Sequence, residues 1–361
     1  MLLTPLHHWH ETHGGRMVDF AGWSMPVQYS TIVEEHNAVR NGVGLFDISH
    51  MGRLRFSGPQ ACDLLDRLVT NDVAGLAVGD VRYALCTNEQ GGILDDVLVY
   101  RFPNDYLMVC NASNRDKLLS WIGFHSGDFT ADVEDKTVPQ VMIAVQGPQA
   151  TNTRTLLVPA EALEPGYFQA MRSTCCGEPA IISRTGYTGE DGFEVIASAD
   201  RADHLWDQIL RAGESAGIIS AGLGCRDTLR LEAGMPLYGH ELDESIDPYT
   251  AGLGFGVKLN AADFIGKDAV TQSRENSNRK KRVGLELEGK RIARQGAVIE
   301  FDGQPCGGVT SGTFSPTLQK TIAMGYVAPE QAQVGTTLQV DIRGTKIPAV
   351  VVRLPFYKRT K

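Results

Sequence analysis

The sequence predicts an α+β protein, because several strand patterns follow one another before a helix pattern appears. β-branched, aromatic and other apolar residues predict strands at 83–87, 91–100 and 106–111, and a helix pattern begins near residue 115. A short turn, 88–92, connects the first two of these stretches. It ends in the two glycines that open the second stretch, an arrangement typical of a hairpin. Strands joined in this way form an antiparallel sheet covered by helices, so a doubly wound α/β fold is not expected.

The C-terminal part of the chain predicts a small all-β domain. Val283, Leu285 and Leu287 alternate with other residues, and a second alternating run ends at a glycine-containing turn, 343–346. The polar, basic stretch 272–282 precedes this part. Such a stretch could contact nucleic acid, but in an acidic chain it favours a solvated linker between domains. A chain of 361 residues is long enough for two or three domains.

Charge and hydropathy limit the classes of partner and location. The net charge of −9 argues against broad binding to nucleic acid or to an anionic membrane, and we expect neither as a partner. No stretch is apolar over the roughly 18 residues that a membrane-spanning helix needs. The first residues lack the basic and apolar regions of a signal peptide. The sequence therefore predicts a cytoplasmic protein.

The histidines and cysteines do not predict a metal site. His7, His8, His10 and His13 lie close together but lack the His-Glu-x-x-His spacing that places two imidazoles one helical turn apart. The seven cysteines contain no CxxC pair, so we expect reduced, packed thiols rather than a zinc site or a disulfide framework. The adjacent cysteines 175–176 favour two free thiols over a strained vicinal disulfide. A metal hydrolase is the least favoured function.

The strongest candidate for chemistry is the pair Asp95 and Asp96 within the strand at 91–100. Neighbouring residues of a strand point to opposite faces, and large apolar residues flank both carboxylates here. At least one aspartate is therefore expected to face partly dry surroundings, where an unpaired carboxylate is costly. The alternative is structural: one aspartate pairs with an arginine, and the other is solvated at a sheet edge. The strand alone leaves both possibilities open.

Two further sets of charged residues indicate a polar ligand. Glu194 lies in a predicted strand on the face opposite its apolar neighbours, where it meets water or accepts parallel N–H bonds from an amidine-like edge such as that of a pterin. Arg226 and Arg230 lie one turn apart on a predicted helix, a spacing that is unfavourable unless an anion lies against them. Glu194, Glu232 or a ligand carboxylate could supply that anion. Glu190 and Asp191, in the loop before the strand, are expected to be solvated.

Several stretches together resemble one known family, the aminomethyltransferase (T-protein) of the glycine cleavage system. The resemblance extends over nearly the whole chain. Each stretch alone is a modest signal, whereas all of them in this order are specific. The matching stretches are RMVDFAGW at 16–23, FDISHM at 46–51, GGILDDVLVY at 91–100, GYTGEDG at 186–192, RDTLRLEAG at 226–234, TSGTFSP at 310–316 and PFYKR at 355–359.

The resemblance implies a fold and a reaction. The fold is a three-domain cloverleaf around a central folate channel, with antiparallel sheets, helices and a C-terminal β-barrel. We assign residues 1–50 with 140–265 to a discontinuous α+β domain, 51–139 to a second, 266–282 to a linker and 283–361 to the barrel. In the implied reaction, a lipoylated H-protein delivers an aminomethyl group, tetrahydrofolate accepts its methylene carbon, and ammonia and 5,10-methylenetetrahydrofolate are formed.

The resemblance also implies roles for single residues. The family's key carboxylate corresponds to Asp96, where it would orient the folate and stabilise developing positive charge. Glu194 matches a pterin-binding glutamate, and Arg226 matches an arginine that contacts folate. The other residues expected to bind or surround the folate are Tyr83, Tyr100, Asn111, Tyr187, Met51 and Arg359.

Three kinds of relative with different functions share this kind of fold, and two of them are alternatives for this chain. A folate-dependent demethylase of a small methylated compound is one alternative. Flavin-fused dehydrogenases are not expected, since the chain has no GxGxxG motif after a first strand. The second alternative is a non-catalytic, folate-binding factor of iron–sulfur assembly, which carries a cysteine in the loop that here reads GYTGE at 186–190. The absence of that cysteine favours the enzyme.

Overall fold

The computed structural model describes residues 1–359, and its strands outnumber its helices. The α-helices are α1 (His7–Thr12), α2 (Ile32–Asn41), α3 (Ala61–Leu68), α4 (Arg115–His125), α5 (Ala150–Arg154), α6 (Ala202–Gly213), α7 (Leu223–Glu232) and α8 (Lys267–Glu275). The strands are β1 (Leu2–Leu3), β2 (Arg16–Phe20), β3 (Trp23–Gln28), β4 (Gly44–Asp47), β5 (Gly52–Ser57), β6 (Val81–Thr87), β7 (Ile93–Arg101), β8 (Asp105–Cys110), β9 (Asp132–Asp135), β10 (Gln140–Gln146), β11 (Ala170–Cys175), β12 (Glu178–Ser183), β13 (Gly192–Ser198), β14 (Ile219–Ser220), β15 (Lys281–Leu287), β16 (Val298–Phe301), β17 (Gln304–Ser315), β18 (Lys320–Val327), β19 (Thr337–Ile342) and β20 (Thr345–Val352).

The predicted hairpin and its neighbours form one antiparallel sheet, in the order β6-β7-β8-β5-β9. A β-bulge between Cys86 and Thr87 of β6 lies opposite the start of β7, so that Cys86 pairs with Asp95 and Thr87 with Ile93. Helices α3 and α4 cover one face with a buried apolar cluster that includes Leu64 and Leu118. This arrangement confirms the predicted α+β order of this region.

A second sheet has the order β11-β12-β13-β10-β4-β14 and is antiparallel except for the pairing of β14 with β4. One face packs on α6 through Trp206. The other face contributes Phe46 and Met142 to an apolar cluster that also contains Tyr100 and Val109 of the first sheet. The two sheets therefore share a core, and residues at its margin can line a common space.

The C-terminal strands close into a barrel in the order β15-β18-β17-β16-β19-β20. Its interior is filled by apolar side chains that include Leu285, Ile299 and Val340. The predicted all-β domain and β-barrel are confirmed. The barrel is joined to α7 by contacts from β17 and β18, so that the end of α7 lies between the barrel and the sheets.

The stretch 266–282, assigned as a linker, contains a helix, whereas its polar part, 272–282, has no buried residue, as expected for a solvated segment. Helix α8 occupies its first half, Val270 of this helix is fully buried, and β15 begins at Lys281. Val270 packs in a cluster with Leu85 and Ile93, so apolar burial overrides the polar composition. The proposed domain boundaries themselves remain a prediction.

Helix α7, which carries residues of the functional site, and helix α2, which packs on it, have clear termini. Thr31 and Glu34 form a capping box at the start of α2. Gly234, at φ +65°, follows the end of α7 and matches the glycine stop expected from the sequence. Within residues 1–359, no helix combines the length and the apolar character that crossing a membrane requires.

Candidate active site

A cavity of about 900 Å³ lies between the two sheets, α7 and the segment 235–240. This volume falls in the range of sites that enclose a cofactor-sized molecule. Apolar side chains form most of its wall, and a few charged groups project into it, among them Asp96, Glu194 and Arg226. The cavity therefore joins residues that are distant in the sequence and that were each singled out there.

The two aspartates of β7 have different surroundings. Asp96 is half-buried and lines the cavity, whereas Asp95 is completely buried behind it. The hydroxyl of Tyr83 donates to Asp96 Oδ2 at 3.2 Å, and the amide of Asn111 donates to Asp96 Oδ1 at 2.7 Å. Asp95 accepts hydrogen bonds from Asn111 and Asn114. The structural alternative was that one aspartate pairs with an arginine and that the other is solvated at a sheet edge. It is wrong, because neither aspartate forms an ion pair with any of residues 1–359.

Burial and mutual repulsion change the acidity of this pair. Burial, with the charge of Asp96, raises the pKa of Asp95 to about 8, although the asparagine donors oppose the shift. Burial also raises the pKa of Asp96, against hydrogen bonds from Asn111 and Tyr83 and the charge of Arg282. A coupled pair of this kind loses its two protons in separate steps. Neutral pH lies between the ordinary pKa range of a carboxyl group and the raised pKa of about 8.

Glu194 lies on β13, facing the cavity as the strand alternation predicts. It is 5% exposed, and the only hydrogen bond to its side chain within residues 1–359 comes from the Thr185 hydroxyl. Burial raises its pKa, while the Thr185 bond and the charge of Arg226 lower it. A largely unpaired carboxylate in a cavity wall can accept hydrogen bonds from a ligand.

Arg226 and Arg230 lie against different groups, and these groups offset the repulsion between the two cations. Arg226 forms no ion pair within residues 1–359, and its guanidinium lies 4.7 Å from the centre of the Tyr187 ring. Burial lowers its pKa. Arg230 pairs with Glu241 at 2.8 Å and with Asp227 at 2.8 Å. Arg226 is thus left as an unpaired cation on the cavity wall.

The acidic partners differ from those the sequence suggested. Glu232 binds neither arginine of its own helix but pairs with Arg40 of α2 at 2.9 Å. Glu190 is buried rather than solvated, because the same Arg40 binds it at 2.8 Å. Asp191 pairs with Arg184. These contacts join segments far apart in the sequence, which a local pattern does not reveal.

Most of the other predicted binding residues also line the cavity. Met51, Tyr83, Asn111 and Tyr187 all lie on its wall. The hydroxyl of Tyr187 donates to the carbonyl of Pro236, which fixes the ring against the segment 235–240.

Two predicted residues do not lie on the wall. Tyr100 is fully buried in the core between the sheets, and burial, together with the charge of Glu194, raises the pKa of its phenol. A direct contact of Tyr100 with folate is thus not supported, and the residue lies behind the wall near Glu194. Arg359 lies 3.4 Å from Asp191 Oδ2 and forms an ion pair there. Its role toward a folate tail stays a prediction.

Sequence reasoning missed several cavity residues, of which His50 and Phe255 are the most informative. His50 is 2% exposed, and burial, with the nearby Arg226, lowers its pKa to about 3. Phe255 is 68% exposed, and its ring stacks on Tyr83 with centres 5.4 Å apart. Phe255 could have been noticed from its neighbours Gly254 and Gly256, since an aromatic residue between two glycines indicates a tight turn at a surface.

The histidine and cysteine clusters have structural partners. The buried ring of His10 bonds Asp47 at 2.9 Å and Tyr29 at 2.7 Å. The sulfurs of Cys175 and Cys176 are 3.9 Å apart, within hydrogen-bond distance, and form no disulfide. Across residues 1–359, no group of three or more histidine, cysteine, aspartate or glutamate residues is placed to hold a metal ion.

Comparison with known proteins agrees with this architecture. The model of the GCVT N-terminal domain matches residues 6–261, and that of the glycine cleavage T-protein C-terminal barrel domain matches 280–358. Curated proteins called aminomethyltransferase from Symbiobacterium thermophilum and Rubrobacter xylanophilus are each 46% identical. The matches cover 98% and 99% of this chain, and 97% and 95% of theirs. A crystal structure of the glycine cleavage system aminomethyltransferase T from Bartonella henselae superposes with a TM-score of 0.90, at 35% identity, covering 99% of this chain and 98% of that one.

The fold, the cavity and these matches define a class of protein: an enzyme that transfers a one-carbon group, an aminomethyltransferase. The similarity does not favour the demethylase or the assembly factor. The chain belongs to the glycine cleavage T-protein family.

Proposed function

We propose that this enzyme transfers the methylene carbon of an aminomethyl group from a lipoylated H-protein to tetrahydrofolate. Ammonia, 5,10-methylenetetrahydrofolate and the dihydrolipoyl carrier are the products. The observation that carries the proposal is the carboxylate of Asp96 on the wall of a 900 Å³ cavity that also holds Glu194 and an unpaired Arg226. A cytoplasmic location belongs to the same proposal.

The charged residues of the cavity fit the chemistry of a folate. A pterin presents N3–H and a 2-amino group side by side, and the Glu194 carboxylate can accept both. The Arg226 guanidinium can donate to a carbonyl or a carboxylate of the ligand. The rings of Tyr83 and Tyr187 add aromatic surface to the wall of the same cavity. Tetrahydrofolate bound here would supply the nucleophilic nitrogen N5.

Asp96 would then act through its charge. As the C–S bond of the carrier arm weakens, positive charge grows on the aminomethyl group, and a nearby carboxylate stabilises it. Tyr83 and Asn111 hold the two oxygens of Asp96 in place, so little reorganisation is needed during the reaction. The apolar wall keeps water away and strengthens the electrostatic interaction.

Asp96→Asn tests the proposal. We expect wild type to release ammonia and form methylenetetrahydrofolate from aminomethyl-loaded carrier. The variant should lose at least about a hundredfold in kcat, which corresponds to about 2.7 kcal/mol of transition-state stabilisation. The exposed Asp128→Asn is the matched control and should keep full activity. Wild type that binds folate but releases no ammonia would overturn the proposed reaction.

A further inference from the structure

The side-chain amide of Asn111 bridges the two aspartates. Its Nδ2 donates to Asp95 Oδ1 at 2.7 Å and to Asp96 Oδ1 at 2.7 Å. An amide nitrogen carries two hydrogens, and both neighbours are acceptors. The opposite orientation would bring the amide oxygen against two carboxylates. The orientation of this amide is therefore determined by its surroundings.

This orientation leaves the carbonyl oxygen of Asn111 free. Within residues 1–359, Oδ1 accepts no hydrogen bond, and it is not among the side-chain atoms that are both buried and unpaired. Asn111 is half-buried and lines the cavity beside Asp96. The residue thus offers the cavity an acceptor and no donor.

Asp95 holds the amide in this orientation. It accepts the backbone N–H of Asn111 at 3.0 Å as well as the side-chain amide, and Asn114 donates to it at 2.6 Å. Asp95 is completely buried, so it cannot itself touch a ligand in the cavity. It is a positioning residue that acts through Asn111.

We infer that Asn111 Oδ1 and the Asp96 carboxylate together bind the amine nitrogen of the aminomethyl group. The inference rests on the proposed function and assigns Asn111 to the carrier arm rather than to folate. A primary ammonium has three N–H donors and needs acceptors only. An uncharged carbonyl beside one carboxylate supplies a second acceptor without a second charge.

The test compares two carrier arms that differ only in the amine. One carrier bears S–CH₂–NH₃⁺ and the other the neutral isostere S–CH₂–CH₃, and the dissociation constant of each is measured without folate. Wild type should prefer the amine arm. Asn111→Ala should reduce that preference by about 10- to 100-fold, as expected for a hydrogen bond to a charged group. Binding of the S-ethyl arm and of tetrahydrofolate should stay within about twofold.

Tyr83→Phe separates this role from a general disturbance of Asp96. It removes the other hydrogen bond to Asp96 but leaves the Asn111 amide in place, so it should retain most of the preference for the amine. The inference would be overturned if Asn111→Ala kept the wild-type preference for the amine arm, or if Tyr83→Phe lost as much of that preference as Asn111→Ala. It would also be overturned if Asn111→Ala weakened the binding of tetrahydrofolate instead of the binding of the amine arm. If Asn111→Ala does not fold, Asn111→Ser provides the same comparison. If the wild-type enzyme turns over the aminomethyl-loaded carrier, the proposed function stands, and any of these outcomes then contradicts only the role of Asn111.

Discussion

At the scale of the residue, His50 shows how the cavity controls charge. Its imidazole is buried in the cavity wall beside Arg226, and burial lowers its pKa to about 3. The ring is therefore neutral at physiological pH, so His50 does not add a second positive charge beside Arg226. Since the unfolded chain binds the proton near pH 6.5, the depressed pKa stabilises the fold above that pH. This stabilisation is lost as the pH falls toward 3.

His50→Gln should consequently make the protein less sensitive to mild acid. Between pH 7 and pH 5, wild type should lose about 2 kcal/mol more of its free energy of unfolding than the variant does. Urea titrations at the two pH values measure the difference. His8→Gln, at an exposed position, controls for loss of an imidazole and should follow wild type. Equal losses in wild type and His50→Gln would show that His50 is protonated in the folded state.

At the scale of the element, the turn 254–256 presents Phe255 at the mouth of the cavity. A Cβ on Gly256 would lie 3.2 Å from Cδ1 of Tyr83, so the turn packs closely on the residue that holds Asp96. Phe255 stacks on the same ring and remains mostly exposed. An exposed aromatic stacked on Tyr83, the hydrogen-bond partner of the proposed catalytic carboxylate, suits contact with the aliphatic arm of a carrier.

Phe255→Ala should therefore raise KM for the loaded carrier by about 3- to 10-fold, the loss expected for one aromatic contact. The value of kcat and the dissociation constant of tetrahydrofolate should change little, because Asp96 and Glu194 are untouched. Steady-state kinetics at varied concentrations of the loaded carrier measure this KM and kcat. Phe124→Ala, which removes an even more exposed ring away from the cavity, is the control. A raised KM for folate alone would place the ring in the folate site instead.

The strands also show how far sequence reasoning extends. Alternation along β7 indicated that at least one of Asp95 and Asp96 faces inward, and alternation along β13 placed Glu194 opposite its apolar neighbours, because the face of a residue in a strand depends only on local geometry. The choice of Asp96 over Asp95 came from the family resemblance. The same alternation places Tyr100 on the face of Asp96, yet the second sheet covers Tyr100 and leaves Asp96 open. Which part of a face is covered depends on packing between distant segments. The partner of Glu232 depends on packing in the same way.

At the scale of the whole molecule, Glu232 joins the α+β part of the chain to the barrel. Its carboxylate at the end of α7 binds Arg40 and His36 of α2 at 2.9 and 3.2 Å. It also accepts hydrogen bonds from Ser315 of β17 and from Thr317 beyond it. Burial alone would raise the pKa of Glu232, but His36, Ser315 and Arg40 lower it to about 2. The neighbouring Arg230 connects the same helix to Ser311 of the barrel.

Glu232→Gln should destabilise the protein by about 3 kcal/mol at pH 7, because a fully buried carboxylate with a depressed pKa contributes about that much above the ordinary carboxyl range. Below pH 4.5 the difference between wild type and variant should shrink, and it should vanish as the pH approaches 2. Glu286→Gln is the matched control on the barrel surface, where the pair with Lys320 is partly exposed and is expected to contribute less than about 1 kcal/mol. Urea unfolding of the three proteins at pH 7 and pH 4 measures both effects. If Glu232→Gln costs no more than Glu286→Gln, the desolvation of this carboxylate cancels its hydrogen bonds, and the barrel is held against α7 by other contacts, such as the Arg230–Ser311 hydrogen bond and the apolar packing of Leu231.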